Sequence, residues 1–189
     1  EQGNPDYEAL GALDVALLND HLLALMRGDE VELPSFDFHT GTRRSAGTRL
    51  RLPERSVLIL EGIHGLNDGL TPQVPREAKY LVYVSALTQL NLDCGNRVST
   101  TDNRLIRRMV RDRKFRGHSA LSTLRLWPSV RRGEKRWIFP FQQEADVAFN
   151  SALDYELAVL KPLVEPLLME VKPSDPEYAE ARRLTEFLL

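Results

Sequence analysis

At 189 residues, 42% of them hydrophobic, the chain is long enough for one good core and short of two full domains. A formal net charge of −2 excludes a generally basic, nucleic-acid-coating protein, and the single cysteine, Cys94, excludes an internal disulfide and a cysteine-based zinc site. No apolar run approaches the roughly 20 residues of a membrane span, and the opening Glu1-Gln2-Gly3-Asn4-Pro5-Asp6 reads as neither a signal sequence nor a transit peptide. A soluble cytoplasmic protein is the expectation.

In chain order, residues 8–27 read as an amphipathic helix, with Leu10, Leu13, Leu17, Leu18, Leu22, Leu25 and Met26 on one broad face and Gly28 as its stop. Val31 to Phe38 alternates loosely around Pro34 as a short edge strand. Gly41 to Gly47, rich in Thr, Ser and Arg, reads as a mobile turn. Ser56-Val57-Leu58-Ile59-Leu60 is the continuous apolar run of a strand buried on both faces of a parallel sheet, and Tyr80 to Val84 is a second such run. Thr100-Thr101-Asp102 supplies N-cap chemistry just before an arginine-rich helix.

Ser119 to Leu126 continues as a helix up to Pro128, and Ala145 to Phe149 is a third short strand. Residues 153–171 form a leucine-rich helical region interrupted by Pro162 and Pro166, which also offers a surface for a homo-oligomer. A linker, Pro173 to Pro176, precedes a last short helix ending at Leu189. Strands alternating with helices predict an α/β fold with a parallel sheet.

The strongest local signal is the row Arg104, Arg107, Arg108 and Arg111, followed by Arg113, Lys114, Arg116 and Gly117. At about 100° per residue the first four share one face, while Leu105, Ile106, Met109 and Val110 take the other. Residues 104–136 hold twelve Lys or Arg against two acids, Asp112 and Glu134, a local charge of +10 that leaves −12 for the rest. Like charges on one face repel unless an anion is present, and arginine suits bidentate phosphate grips. A phosphorylated ligand is therefore expected here.

Leu60-Glu61-Gly62 ends an apolar strand in a carboxylate, the place where open α/β sheets collect ligands and where magnesium is held in phosphate-handling folds. His64, beside it, is the one histidine placed to matter; His21 and His39 stand alone. Trp127, Arg131, Arg132, Lys135, Arg136, Trp137 and Phe139 interleave charge with rings, as RNA-stacking surfaces do, but aromatic packing beneath a basic lid is favoured. No G-x-x-x-x-G-K-[ST] phosphate loop occurs; Gly41-Thr42-Arg43-Arg44-Ser45-Ala46-Gly47-Thr48 has the wrong spacing and lacks the lysine.

Five groups of residues together resemble the uridine kinase/phosphoribulokinase family of P-loop kinases over roughly residues 4–170. They are Asp6-Tyr7-Glu8-Ala9-Leu10 through Leu13-Asp14, Leu33-Pro34-Ser35-Phe36-Asp37-Phe38, and Val57-Leu58-Ile59-Leu60-Glu61-Gly62-Ile63. The others are Arg107-Arg108-Met109-Val110-Arg111-Asp112 with Arg116-Gly117, and Glu144-Ala145-Asp146-Val147.

The resemblance implies a P-loop NTPase-type parallel sheet flanked by helices, with an arginine-rich lid. It implies a kinase domain over 1–172, with linker and helix over 173–189, whose first strand, phosphate loop, acidic base and lysine lie upstream, so that the fragment alone is inactive. It further implies ATP and Mg²⁺ as cofactors and phosphoryl transfer to a nucleoside hydroxyl. Arg108, Arg111 and Arg116 become catalytic, Arg111 and Arg116 also nucleotide-binding, Asp6, Phe36 and Arg43 substrate-binding, and Glu61 the metal ligand.

The chain departs from the family pattern at three places. Phe36 stands where uridine kinases usually have Tyr, Gly41 where a base-reading His is usual (His39 lies two residues short), and His118 where Arg-Gly-Arg has its second arginine. The rival readings are a non-catalytic nucleotide- or phosphate-binding regulatory domain and an RNA-binding module on residues 104–139.

Overall fold

In the computed structural model, residues 8–37, 42–88, 94 and 98–188 are described. Asp6, His39 and Gly41 lie outside them. The chain divides into two units, Glu1–Leu81 with Arg136–Asp146, and Val82–Lys135 with Val147–Leu189.

In the first unit, α1 spans Val15–Met26. The sequence predicts a helix from residue 8, but Asp14 caps it, accepting a hydrogen bond from the Leu17 N–H at 3.1 Å. Ahead of that cap Leu10–Ala12 forms a single 3-10 turn. The stop falls where the sequence places it, at Gly28, whose φ of 84° suits glycine. Asn19 is buried on α1 and staples it to a following turn: Nδ2 donates to the Leu70 carbonyl at 3.0 Å, and Oδ1 accepts from the Gln73 N–H at 3.2 Å. Asn19→Ala is expected to cost about 1–3 kcal/mol by leaving both backbone groups unpaired, read as a lower urea midpoint at unchanged slope.

β1, Val31–Asp37, pairs antiparallel with β2, Thr42–Leu50. The register shifts between Leu33 and Pro34, where proline offers no N–H to the ladder. The predicted mobile turn over 41–47 is thus corrected: from Thr42 onward it is strand. Its polar, arginine-rich composition carries no apolar alternation, so hydrophobic periodicity does not register it. The predicted buried strand over 56–60 is also corrected. That segment joins no ladder among the described residues, and Val57 and Ile59 are each 85% exposed. An apolar run becomes a buried strand only where neighbours supply hydrogen bonds and two covering faces.

In the second unit, β3, Val82–Ser85, and β4, Val147–Asn150, form a parallel pair in register Val82↔Val147 to Ser85↔Asn150. The predicted burial of this run on both faces is corrected: Tyr80, Val82 and Val84 are exposed, because a two-stranded pair offers no second covering layer. Asn150 prolongs the ladder with its side chain, accepting from the Leu87 N–H and donating to the Leu87 carbonyl. The fold is α/β with a parallel sheet flanked by helices, the class the sequence predicts.

α2 spans Thr100–Arg116 and is capped by Ser99, not by the threonines; Asp102 instead sits in its first turn, where a negative charge is favoured. It closes on Gly117, whose φ of 68° lets its N–H reach the Asp112 carbonyl. α3, Ala120–Trp137, runs through Pro128 where a stop was predicted, and α4, Glu156–Met169, runs through Pro162 and Pro166. Each proline forfeits one helical hydrogen bond, but buried side chains on either side hold the path: Leu124 and Glu134 on α3, Val164 and Leu168 on α4. α5 spans Tyr178–Phe187. Leu105, Ile106 and Met109 of α2 meet Ala120 and Leu124 of α3, Val164 and Leu168 of α4, and Ala181 and Leu184 of α5 in one core. No helix among the described residues is long and apolar enough to cross a membrane.

Candidate phosphate-binding site

The arginine row of α2 is divided by its partners. Arg104 pairs with Glu134 of α3 at 2.5 Å, a carboxylate shared with Arg131 at 2.8 Å. Arg107 forks onto Glu156 at the start of α4 through Nε and Nη2, and the same Nη2 donates to the Ser151 carbonyl at 2.7 Å. Asn103 adds a bond to Glu156 at 3.2 Å. These two arginines tie α2 to α3 and to the turn before α4. Asp112 meets the row from within α2, whereas Glu134 and Glu156 reach it from other helices.

Burial opposes ionisation of Glu156, but hydrogen bonds from Arg107 and Asn103 outweigh it and hold its carboxyl below the usual glutamate value. A depressed carboxylate stabilises the fold above its unfolded pKa and loses that contribution as pH falls through the folded value. Glu156→Gln is therefore expected to be less stable than the parent near neutrality and to close that gap below about pH 4, measured by thermal melts at stepped pH.

The second half of the row converges on one carboxylate. Asp112 has no exposed surface and lies between the arginine face and the core stripe of α2. Its Oδ1 accepts from Arg111 Nε at 3.0 Å and Nη2 at 2.8 Å, and Arg116 Nη1 stands 3.4 Å away. Its Oδ2 lies 3.2 Å from Arg108 Nε. Three guanidiniums on one carboxylate leave +2, with Arg111 and Arg116 about half exposed. The family resemblance implies these three as the phosphate-gripping set, and the structure brings them together on Asp112. Asp112 is the residue that spacing did offer, four positions from both Arg108 and Arg116.

In the first unit, Phe36 and Arg43 stand opposite each other in the β1–β2 register, and Phe36 is half exposed. Arg43 Nη1 lies 2.5 Å from Asp14 Oδ2, so the α1 cap also aims this guanidinium. The Leu17 N–H and Arg43 together hold the Asp14 carboxyl below its ordinary range. Arg43 and Arg44 line a cleft of about 240 Å³ with Leu17, His21, Leu33 and Pro34.

Glu61 is exposed and opens the turn closed by the Gly65 N–H on the Gly62 carbonyl. Among the described residues no group of three or more His, Cys, Asp or Glu gathers to hold a metal. Magnesium asks for less, one or two carboxylates beside substrate phosphates and water, so Glu61 fits as a single protein ligand. His64 is buried: Nε2 meets the Glu8 carbonyl at 2.9 Å, and the ring lies edge-on to Trp137 with centroids 5.4 Å apart. Trp127 packs against the helical core. Both tryptophans of the basic segment are therefore engaged in packing.

This α/β architecture is that of the P-loop kinases. Residues 2–158 match the Phosphoribulokinase / Uridine kinase family, and the chain belongs to it. It is 34% identical over 148 residues to a protein of Vibrio atlanticus (strain LGP32) named uridine kinase, covering 78% of this chain and 61% of that one. A uridine kinase of Tolumonas auensis is 30% identical over 172 residues, 89% of this chain and 72% of its own length. One of Alkaliphilus metalliredigens is 26% identical over 160 residues, 84% and 68% respectively. The chain thus spans about three fifths of the Vibrio relative.

Proposed function

We propose that the protein transfers the terminal phosphoryl group of ATP to a hydroxyl of a nucleoside or related small molecule, with magnesium. The observation that carries this reading is the convergence of Arg108, Arg111 and Arg116 on Asp112 in a member of this family. Phosphoryl transfer is governed by positioning and charge stabilisation, and half-exposed guanidiniums held in place before substrate arrives supply both. Arg111 and Arg116 hold the nucleotide phosphates, and Arg108 completes the neutralisation. Glu61 would be the protein ligand of magnesium, which would supply neutralisation of the phosphate charge.

Asp6, Phe36 and Arg43 receive the acceptor. Phe36 offers a ring without a hydroxyl, and a site that leaves a base edge without a polar partner discriminates weakly among bases. Broad acceptance of nucleosides follows. The test is Mg²⁺-dependent transfer from ATP by the complete gene product, against a panel of nucleosides and pentose phosphates. Phosphorylation of nucleosides supports the proposal; ATP binding without transfer to any acceptor overturns it in favour of a regulatory nucleotide-binding domain.

A further inference from the structure

We propose that Asp112 is a positioning residue of the phosphate site: it gathers Arg108, Arg111 and Arg116 into one anion-binding cluster, and its negative charge strengthens polyphosphate binding. This rests on the reading that those three arginines face phosphates. The reasoning starts from a conflict of signs. A carboxylate beside a phosphate site repels the ligand, so charge alone says that removing it tightens binding.

The geometry says the opposite. Arg111 uses two donors on Asp112 Oδ1, and Arg116 approaches the same oxygen from the next turn. Arg108 Nε comes to the other oxygen from the preceding turn. Without the carboxylate, three like charges on adjacent turns repel, and long side chains that are half in water disperse into many rotamers. Asp112 has no exposure to solvent, so its charge is held at a fixed point and each guanidinium is oriented before any ligand arrives. The donors of Arg111 and Arg116 left over after Asp112 is served are the ones a phosphate meets. By contrast, Arg104 and Arg107 are spent on Glu134 and Glu156 and lie outside the cluster.

The experiment measures calorimetric binding of inorganic tripolyphosphate to the chain and to two variants with the same charge change. Asp112→Gln alters side-chain length, so Asp112→Asn is the variant of choice. Glu170→Gln is its control, since Glu170 is an exposed partner of Arg113 away from the cluster. Asp112→Asn is expected to weaken binding about fivefold or more through lost orientation, while Glu170→Gln changes it by less than about twofold. Asp112→Glu, which keeps the carboxylate, is expected to recover part of the loss. Equal or tighter binding by Asp112→Asn overturns the proposal, as does failure of the parent chain to bind tripolyphosphate.

If Asp112→Asn does not fold, the parent chain alone decides by NMR. The Arg111 Nε–H is expected to exchange slowly with water in the free chain, and the Arg108, Arg111 and Arg116 side-chain signals to move together on adding tripolyphosphate. Fast exchange at Arg111, or movement confined to Arg104 and Arg107, overturns it. Neither measurement uses transfer activity, so the cluster and the kinase reading stand or fall separately.

Discussion

Arg111→Ala in the complete gene product is expected to lower kcat for phosphoryl transfer tenfold or more, about 1.4 kcal/mol of transition-state stabilisation. Arg111 is half exposed and spends only one edge on Asp112, so part of its guanidinium is available to a phosphate. Charge develops over the transferred group in the transition state, and an interaction made more strongly there than in the ground state appears in kcat. Arg104→Ala serves as the contrast. Its side chain is committed to buried Glu134, and its loss is expected to lower the unfolding midpoint with kcat changed less than twofold, about 0.4 kcal/mol. Equal kcat values for the parent and Arg111→Ala remove this residue from the catalytic set.

What the sequence made legible was what is local. The period of α2 placed Leu105, Ile106 and Met109 in the core, and the extended runs near 80 and 147 became the parallel pair β3–β4. Gly28 ends its helix where the sequence places the stop, because only short-range geometry is involved. The misses are non-local. Ser56 to Leu60 has strand composition, but composition cannot supply the ladder partner that makes a strand. β2 has the opposite fault: its alternation is polar on both faces, so no apolar period marks it, and only pairing with β1 defines it. Pro128, Pro162 and Pro166 lie inside helices because tertiary burial outweighs a lost hydrogen bond.

The same divide runs through the candidate site. That Arg108, Arg111 and Arg116 share a face was legible from spacing, but the split of the row was not. It depends on Glu134 and Glu156, which come from helices that only the fold brings near. A charge count along residues 104–136 therefore overstates the field a ligand meets. At Arg108, Arg111 and Arg116, where one buried acid serves three arginines, the surplus is +2.

Leu184→Ala is expected to destabilise the helical unit by about 3 kcal/mol, the transfer and cavity cost of a fully buried leucine. Leu184 has no exposed surface, and it lies on α5, the terminal segment after the Pro173 to Pro176 linker. Nothing in its sequence position demands burial, but two independent observations bind α5 to the core. Leu184 and Ala181 join the cluster formed by α2 and α4. On the same helix Arg183 makes a two-point contact with Asp102 in the first turn of α2, at 2.9 and 2.7 Å. Hydrogen bonds from Arg183 to Glu180 and Asp102 raise its pKa above the ordinary arginine value. With a urea slope of about 2 kcal/mol per molar, the midpoint is expected to fall by about 1.5 M. Leu163→Ala, at a half-exposed position on α4, is the control and is expected to cost less than about 0.5 kcal/mol. Equal midpoints for the two variants would mean that α5 adds nothing to the unit that carries the arginine helix.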